Sequence, residues 1–331
     1  MKKIAVLTSG GDAPGMNACI RAIVLTCERL KLKAYGYLHG YNGLLQQHYK
    51  KLEAKDMHNL IQRGGTVLHS ARCLEFKTPE AAVVAAKNLN ELEIDALIVI
   101  GGDGSFRGAH HLSQHWQGQV IGLPGTIDND IYGTDATIGY YTAIETAVSS
   151  IDKVRDTADA FERIFLIEVM GRHAGFIALN AALASASDHV IVPELFETTE
   201  KALAAMLEEL QYRRDNHGSV SYIIVIAENV WPGGLGALVS ELEQRTGSEV
   251  RPVILGHVQR GGSPVPQDRI LASKLGSHAI QAIIDGQTGV MIGECNGEPV
   301  AVPLEQTWAQ QKPLEPFCVE AMSQLVNATT D

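Results

Sequence analysis

Residues 96–105 read ALIVIGGDGS, an apolar run that ends in glycines, a carboxylate and a hydroxyl. The uninterrupted apolar residues from Ala96 to Ile100 are typical of a strand that is buried on both faces. The glycines allow a sharp turn and leave room for a ligand at the start of a helix. The stretch therefore predicts a buried strand that ends in a functional loop.

The same pattern recurs along the chain, where short apolar runs alternate with amphipathic stretches. The runs predicted as buried strands are Ile4 to Leu7, Ala96 to Ile100, Val120 to Leu123, Ile164 to Val169, Tyr222 to Ala227 and Val253 to Leu255. Apolar spacings of three and four predict helices at Tyr141, Ile144, Val148, Ile151 and Val154, and at Leu203, Met206 and Leu210. This alternation predicts an α/β fold with a mainly parallel sheet and ligands beyond the carboxyl ends of the strands.

Composition narrows the class of protein. The 331 residues carry a net charge of −11, so the overall field repels polyanions and nucleic acid is an unexpected partner. Five cysteines without a CxxC pair fit reduced thiols, and no apolar run is long enough for a signal peptide or a membrane helix. We expect a soluble cytoplasmic protein whose phosphorylated ligands would meet placed arginines and helix N-termini.

The first strand leads directly into a glycine-rich loop, TSGGDAPGMN at residues 8–17. Its glycines and the helix start that follows could hold a phosphate. The loop lacks the lysine of a P-loop and does not spell GxGxxG, so neither common nucleotide motif is present. A tight strand-to-helix turn without a ligand remains the alternative.

Two further loops carry carboxylates after predicted strands. Asp103, between glycines, is suited to a Mg²⁺ ion that keeps most of its waters, and the alternative is a helix cap. The run PGTIDND at residues 124–130 places Asp128 and Asp130 in one loop, where an aspartate could accept a hydroxyl proton during phosphoryl transfer. An Asx-rich turn is the alternative for this loop.

The sequence also contains a group of basic and polar residues, three of which follow predicted strands, and its arginines are suited to bidentate phosphate binding. Its members are Arg72, Arg163, Arg172, Arg251, His257, Gln259 and Arg260. A single surface arginine is more often solvated or paired with a carboxylate.

Five motifs together resemble the bacterial-type ATP-dependent phosphofructokinases. They are TSGGDAPGMN at 8–17, GGDGS at 101–105, PGTIDND at 124–130, MGRHAG at 170–175 and GHVQRGGSP at 256–264. The similarity runs from residue 3 to about residue 290, and the order of the five motifs makes a chance match improbable.

The resemblance implies a role for each matching residue. ATP and Mg²⁺ would be held by Gly11, Arg72, Cys73, Gly102, Asp103, Gly104, Ser105 and Gly108, with Asp103 on the metal. Fructose 6-phosphate would be held by Thr126, Ile127, Asp128, Arg163, Met170, Gly171, Arg172, Glu228, Arg251, His257, Val258, Gln259 and Arg260. The transfer chemistry would use Asp128 as the base, with Thr126, Asp130, Arg172, Gly11 and Arg72.

The donor pocket departs from the family in two places, since Cys73 replaces a common aromatic residue and Lys77 a common arginine. Two alternatives are a pyrophosphate-dependent enzyme of the same family and a catalytically silent regulatory subunit. The glycines at 104 and 125 argue against the first, because that branch fills this space with Asp and Lys. The presence of Asp103 and Asp128 argues against the second.

The resemblance also implies a homotetramer in which Arg163 and Arg251 reach the sugar phosphate across a subunit contact. A possible effector site comprises Arg21, Arg155, Asp188, Arg213 and Arg214. Leu25 and Ala54 stand where the family supplies arginines, so we expect weak regulation.

Two Rossmann-like three-layer lobes are expected, with the active site in the cleft between them. The expected limits are 1–158 for the ATP-binding lobe, 159–305 for the fructose 6-phosphate-binding lobe and 306–331 for a divergent C-terminal helical segment. The first boundary is approximate, and a return of the C-terminal segment to the ATP-binding lobe is the alternative.

Overall fold

A computed structural model describes residues 2–161, 163–217 and 221–327. The strands are β1 (Lys3–Thr8), β2 (Lys33–Tyr37), β3 (Tyr49–Leu52), β4 (Ala96–Gly101), β5 (Gln119–Pro124), β6 (Ile164–Val169), β7 (His189–Ile191), β8 (Tyr222–Ala227), β9 (Val250–Ile254), β10 (Val290–Cys295) and β11 (Glu298–Pro303).

The helices alternate with these strands along most of the chain. They are α1 (Met16–Arg29), α2 (Tyr41–Leu45), α3 (Pro79–Glu91), α4 (Asp103–Ser113), α5 (Tyr140–Phe161), α6 (Phe176–Ala184), α7 (Thr199–His217), α8 (Leu235–Thr246), α9 (Pro266–Ile284), α10 (Gln306–Ala309) and α11 (Pro316–Asn327). Short 3₁₀ helices span Ala54–Met57, Glu75–Lys77 and Gly256–Arg260.

The chain divides into two compact units, each built on its own sheet. The first unit comprises Met1–Ile127, Ile131–Thr142 and Arg260–Lys312, and the second comprises Asp128–Asp130, Ala143–Gln259 and Pro313–Asp331. The first sheet has the strand order β11-β10-β5-β4-β1-β2-β3, with antiparallel pairing only at β10–β11 and β2–β3. The second sheet, β7-β8-β6-β9, is parallel throughout. The expected α/β fold with mainly parallel sheets is confirmed.

Five of the six predicted strands lie within β1, β4, β5, β6 and β8. The sixth prediction, Val253 to Leu255, is wrong in its limits and its burial. Strand β9 begins at Val250 and ends at Ile254, whose side chain is 65% exposed. The strand lies at the edge of its sheet, and Arg251 and Pro252 interrupt its apolar pattern because such a position tolerates them.

The helix predicted from Tyr141 is present as α5, but its buried face differs from the predicted one. Tyr141 is 37% exposed, whereas Ala143 and Ala147 are fully buried beside Ile151. Small alanines allow close packing of the helix, so Ala143 and Ala147 share its inner face with Ile151. The apolar face predicted for α7 at Leu203, Met206 and Leu210 is buried.

The expected domain limits do not match the division into units, because the chain returns to the first sheet. Strand β10 pairs with β5, and α9 packs so closely on α1 that a Cβ at Gly276 would lie 2.7 Å from the Cys19 carbonyl oxygen. The segment expected at 306–331 is helical in α10 and α11, and α11 contacts α6 in the second unit. Residues 328–331 lie outside the described residues.

No helix in the described part of the chain is long and apolar enough to cross a membrane.

A buried carboxylate holds the start of α5 in the first unit. Asp268 of α9 is fully buried and accepts hydrogen bonds from the Gly139 and Thr142 backbone N–H groups at 2.9 and 2.7 Å. It also accepts one from the Thr142 hydroxyl. The carboxylate therefore satisfies two buried backbone donors at a helix start, where intrahelical acceptors are lacking.

We expect Asp268→Ala to destabilise the protein by about 2–5 kcal/mol, since two buried N–H groups would lose this acceptor. Urea unfolding of purified variants measures this free energy. The matched control is Asp285→Ala at the exposed C-terminal end of the same helix, which should change stability by about 0.5 kcal/mol or less. Equal unfolding midpoints for the two variants would contradict the assignment.

Candidate functional site

The carboxyl ends of β1, β4 and β5 lie side by side in the first sheet, and hydrogen bonds join the loops that follow them. The Ser9 N–H donates to the Ile100 carbonyl at 3.0 Å, and the Ser105 hydroxyl donates to the Ser9 carbonyl at 3.1 Å. The Gly125 N–H donates to the Gly101 carbonyl at 3.0 Å. Three of the predicted motifs therefore form one connected group at this sheet edge.

The loop after β1 supports an arginine that comes from the third chain segment of this unit. A Cβ at Gly11 would lie 2.5 Å from Arg260 Nη1, and this nitrogen donates to the Asp12 carbonyl oxygen at 3.2 Å. Gly11 was expected to bind ATP and Arg260 to bind the sugar phosphate. The first unit brings these two residues into contact, and a side chain at position 11 would displace the Arg260 guanidinium group from its present position.

The loop after β4 places a carboxylate beside open space. Asp103 is the first residue of α4, and a Cβ at Gly104 would have no atom within 4 Å. A Cβ at Gly102 would lie 3.8 Å from Thr126 Cβ, which brings a residue expected at the donor next to one expected at the acceptor. The helix start and the open space at Gly104 are suited to an anionic ligand.

The donor set for a metal is small. Within the described residues, no cluster of three or more His, Cys, Asp or Glu side chains could hold a metal ion. A single carboxylate such as Asp103 fits Mg²⁺, which takes one or two protein carboxylates and fills its remaining positions with water and phosphate oxygens. The residues present therefore fit a metal that arrives with a phosphorylated ligand.

Two expected ATP-site residues have structural reasons for their identity. The Ser105 hydroxyl is buried in its bond to Ser9, and a Cβ at Gly108 would lie 3.0 Å from the Tyr41 ring.

A Cβ at Gly125 would lie 2.8 Å from Ile100 Cγ2 and 3.1 Å from Met16 Cε. Packing thus requires glycine at 125, so only Gly104, and not Gly125, leaves free space for a ligand.

Arg72 and Cys73 follow the loop that packs behind the first glycine loop. Arg72 is exposed, and its guanidinium group has no ion pair with any residue in the described ranges. Cys73 is half-buried, and burial raises the pKa of its thiol, so it is not a ready nucleophile. Lys77 is exposed at the end of a 3₁₀ helix.

The loop after β5 holds its acidic residue out of solvent. Thr126 and Asp128 are 8% and 7% exposed, and Ile127 is fully buried. The Thr137 hydroxyl donates to the Thr126 carbonyl at 2.6 Å, and Asn129 has a left-handed backbone with φ of 56°. The loop therefore holds a buried carboxylate directly after β5.

In the second unit, Glu228 shapes the loop that follows β6. Its Oε1 accepts from the Arg172 N–H at 2.7 Å and from the Gly171 N–H at 3.3 Å. The fully buried Gln259 accepts from the Met170 N–H at 2.8 Å. These five residues, all expected at the sugar-phosphate site, form one hydrogen-bonded group at the carboxyl ends of β6 and β8.

A carboxylate that the motifs did not identify lies near this group. Burial raises the pKa of Glu168, and the Glu228 carboxylate raises it further. Its sequence signal is a single charge inside the otherwise apolar strand IFLIEV. His257 and Val258, from the 3₁₀ helix after β9, are exposed.

Arg163 and Arg251 lie at the opposite end of the second sheet. Arg163 precedes β6, and Arg251 pairs in register with Phe165 at the beginning of that strand. Since β6 has six residues and a strand rises by roughly 3.3 Å per residue, about 20 Å separates them from the Gly171 loop. Within this unit the two arginines therefore cannot join Arg172.

One carboxylate holds this arginine pair. Glu249 Oε2 lies 2.5 Å from Arg163 Nε, and its Oε1 pairs with Arg251 Nη2. The two guanidinium groups are thereby held side by side, with about a third to a half of each side chain exposed.

Most residues of the possible effector site have protein partners. Arg213 Nη1 lies 2.6 Å from Asp188 Oδ1, and its Nη2 lies 3.3 Å from Glu209 Oε1. Arg155 donates to two carbonyls at the end of α6, and Arg214 donates to the Thr246 carbonyl. Burial raises the pKa of Asp188. Arg21 and Leu25 are half-buried on α1 in the first unit, and Ala54 is half-buried there too.

The fold and these loops define an α/β protein with glycine and carboxylate loops at the carboxyl ends of parallel strands, an arrangement suited to phosphorylated ligands. A comparison with protein families matches residues 3–283 to the phosphofructokinase family. The chain belongs to this family.

Individual relatives agree with this assignment. The chain is 48% identical over 312 residues to the ATP-dependent 6-phosphofructokinase 1 of Thermus thermophilus, covering 94% of this chain and 95% of the relative. It is 50% identical over 294 residues to the ATP-dependent 6-phosphofructokinase of Staphylococcus carnosus, covering 88% and 89% of the two chains.

Among solved structures, the phosphofructokinase of Saccharomyces cerevisiae superposes with a TM-score of 0.87 at 33% identity. The match covers 99% of this chain and 47% of the yeast chain, so this chain spans about half of that protein's length.

Proposed function

We propose that this chain is an ATP-dependent 6-phosphofructokinase, which transfers the γ-phosphoryl group of ATP to the 1-hydroxyl of fructose 6-phosphate. The products are fructose 1,6-bisphosphate and ADP. The observation that carries the proposal is the connected group at the ends of β1, β4 and β5, where open space at Gly104 adjoins Asp103. Relatives with 48% and 50% identity bear the same activity in their names.

The donor half of the site belongs to the first unit. Asp103 would hold Mg²⁺, and this ion would supply positive charge to the phosphate oxygens. The start of α4 and the loop at Gly11 offer backbone N–H groups to the phosphates, and Arg72 offers an exposed guanidinium. Gly104 leaves the room that a nucleotide needs beyond its terminal phosphates.

The acceptor half uses the aspartates after β5 and the loop held by Glu228. Asp128 takes the proton of the attacking hydroxyl, and Asp130 helps to position that hydroxyl. Burial of Asp128 keeps competing water from the base. Arg172 neutralises charge on the transferred group, while Glu228 positions the backbone that carries Arg172. Positioning and charge stabilisation suffice for phosphoryl transfer, so no covalent intermediate is required.

Two alternatives from the sequence make different predictions. A pyrophosphate-dependent enzyme would need little room beside Asp103, and the open space at Gly104 disfavours it. A silent regulatory subunit would have no use for Asp103 together with a buried Asp128. The glycine at 125 no longer bears on this choice, since packing accounts for it.

A coupled assay of fructose 1,6-bisphosphate formation tests the three functions. We expect turnover with ATP and none above background with pyrophosphate. Turnover with pyrophosphate alone would establish the first alternative, and inactivity with both donors the second.

Asp128→Asn is expected to lower kcat by about 10²–10⁴, because the amide keeps the shape of the side chain but cannot accept the proton. Its affinity for ATP, measured by calorimetry, should stay within about twofold of the wild-type value, which shows that the donor half is intact. Near wild-type turnover in this variant would remove Asp128 from the role of base.

The distance between Arg163 and the Gly171 loop supports a shared site in a homotetramer. We infer that the arginine pair held by Glu249 binds the 6-phosphate of fructose 6-phosphate at a neighbouring subunit. Replacing either arginine with alanine should raise KM for fructose 6-phosphate at least about tenfold, because each removes a charged hydrogen bond, and should change KM for ATP little.

Mixed oligomers test the sharing directly. In a mixture of Arg163→Ala and Asp128→Asn chains, some sites would combine the intact Arg163 of one chain with the intact Asp128 of another. Co-refolded mixtures should then exceed the average of the parents, each refolded alone as its own control. Strict averaging in oligomers that do exchange chains would count against a shared site.

Regulation through the possible effector site is proposed to be weak. Arg213 is already paired with Asp188 and Glu209, and Leu25 and Ala54 supply no charge. An effector shifts a conformational equilibrium only through its preference for one state, so a site poor in cations gives little response.

We propose the cytoplasm as the compartment, in keeping with five free thiols.

We expect ADP and phosphoenolpyruvate at about 1 mM to change the fructose 6-phosphate saturation curve by less than about twofold in midpoint, since each missing cation costs about tenfold in effector affinity. Leu25→Arg with Ala54→Arg should strengthen the response. A sigmoidal wild-type curve that submillimolar ADP makes hyperbolic would contradict this expectation.

A further inference from the structure

An arginine lies one helical turn after the proposed metal carboxylate. Residues i and i+4 share a helix face, and helical side chains point back toward the N-terminus. Arg107 follows this geometry: its Nε lies 3.9 Å from Asp103 Oδ2, and 55% of its side chain is exposed. A cation therefore stands at the start of α4, where the donor phosphates are expected.

The guanidinium group rests on an aromatic ring from the C-terminal segment. Arg107 Cζ lies 5.0 Å from the centre of the Trp308 ring, within the range of a cation–π interaction. His110, also on α4, contacts the same ring edge to face at 5.8 Å, and its Nε2 lies 3.0 Å from Glu305 Oε1. Two residues of α4 thus contact the turn that carries Trp308.

The tryptophan itself is fixed by the core of the first unit. Its ring packs against the buried cluster, and the neighbouring Thr307 is 1% exposed, with its hydroxyl donating to the Leu304 carbonyl at 2.7 Å. Leu304 is fully buried and bonded through its N–H to the Gly289 carbonyl. The ring therefore offers a rigid surface that restricts a side chain with otherwise high rotamer entropy.

The contact with Asp103 alone does not explain this arrangement. A separation of 3.9 Å between partly exposed charges on a helix contributes little to stability. An arginine that an aromatic surface holds while half of its side chain stays exposed is suited to bind a phosphate. The adjoining space at Gly104 can receive one.

We propose that Arg107 binds the phosphate chain of the nucleotide donor and that Trp308 is a positioning residue that holds its guanidinium group. This inference rests on the proposed ATP-dependent function. It gives the C-terminal segment a role at the donor site, since α10 supplies the surface on which a donor-binding cation is ordered.

The test compares Arg107→Met with Lys87→Met by calorimetric binding of MgATP. Lys87 is a matched control, because it is also an exposed cation with a carboxylate one turn away, 3.7 Å from Glu91 on α3 of the same unit. Arg107→Met should weaken MgATP binding about tenfold and Lys87→Met by less than about twofold. Arg107→Lys should recover part of the loss, since it keeps the charge.

Two further measurements distinguish phosphate binding from other roles. The loss in Arg107→Met should be the same for MgATP and MgGTP, because the contact is with phosphate, and it should shrink between about 0.1 and 0.5 M KCl. KM for fructose 6-phosphate should stay unchanged. A loss confined to MgATP would indicate a contact with the base and overturn the proposal, as would equal affinity of the two methionine variants.

Trp308→Leu should weaken MgATP binding about three- to fivefold, and Trp308→Phe, which keeps an aromatic face, should bind nearly as the wild type. Urea unfolding of both confirms that they are folded, and wild-type affinity in a folded Trp308→Leu protein would refute the positioning role. Absence of MgATP binding by the wild-type chain would instead refute the proposed ATP-dependent function, so the two failures are distinguishable.

Discussion

The adjacency of three parallel strands, β1, β4 and β5, is the constraint on which the donor half of the proposed site depends. Their side chains are almost entirely buried, so their positions cannot shift without disturbing the core. The loops at their carboxyl ends then meet, and the hydrogen bonds from Ser9, Ser105 and Gly125 join them. Glycine is needed where a neighbouring loop comes close, as the Ser9 carbonyl does at Gly101.

The second sheet uses its two ends for different purposes. At the carboxyl ends of the strands, Glu228 and Gln259 satisfy three consecutive N–H groups and hold the loop that presents Arg172. At the amino ends, Glu249 holds Arg163 and Arg251 together. Because a strand is stiff and extended, one unit cannot bring both sets to one ligand. A second copy of the chain resolves this in the proposed tetramer.

The arginines proposed to bind phosphate are local positive groups in a chain whose net charge is negative. The net charge of −11 repels phosphorylated ligands, so binding must come from arginines that are placed and ordered. The structure orders them in different ways: by a carboxylate at Arg163 and Arg251, by a backbone carbonyl at Arg260 and by an aromatic ring at Arg107. At the possible effector site, Arg213 instead forms ion pairs with carboxylates of the same chain.

The sequence by itself determined the class of fold, five buried strands and the residues of the glycine and aspartate loops. It could do so because burial on both faces requires continuous apolar runs, and because loops that approach phosphate require glycine. Short or edge strands such as β2 and β9 carry no such run, and their limits were missed or misplaced.

Only the tertiary structure decided which elements pair and which side chains meet. Strand pairing joins residues far apart in sequence, so the return of β10 to β5 left no local signal. For the same reason, the sequence could not place Arg163 at the amino end of its sheet or Arg107 on the ring of Trp308. The need for glycine at 125 likewise follows from Ile100 and Met16, whose proximity arises only when the strands are packed.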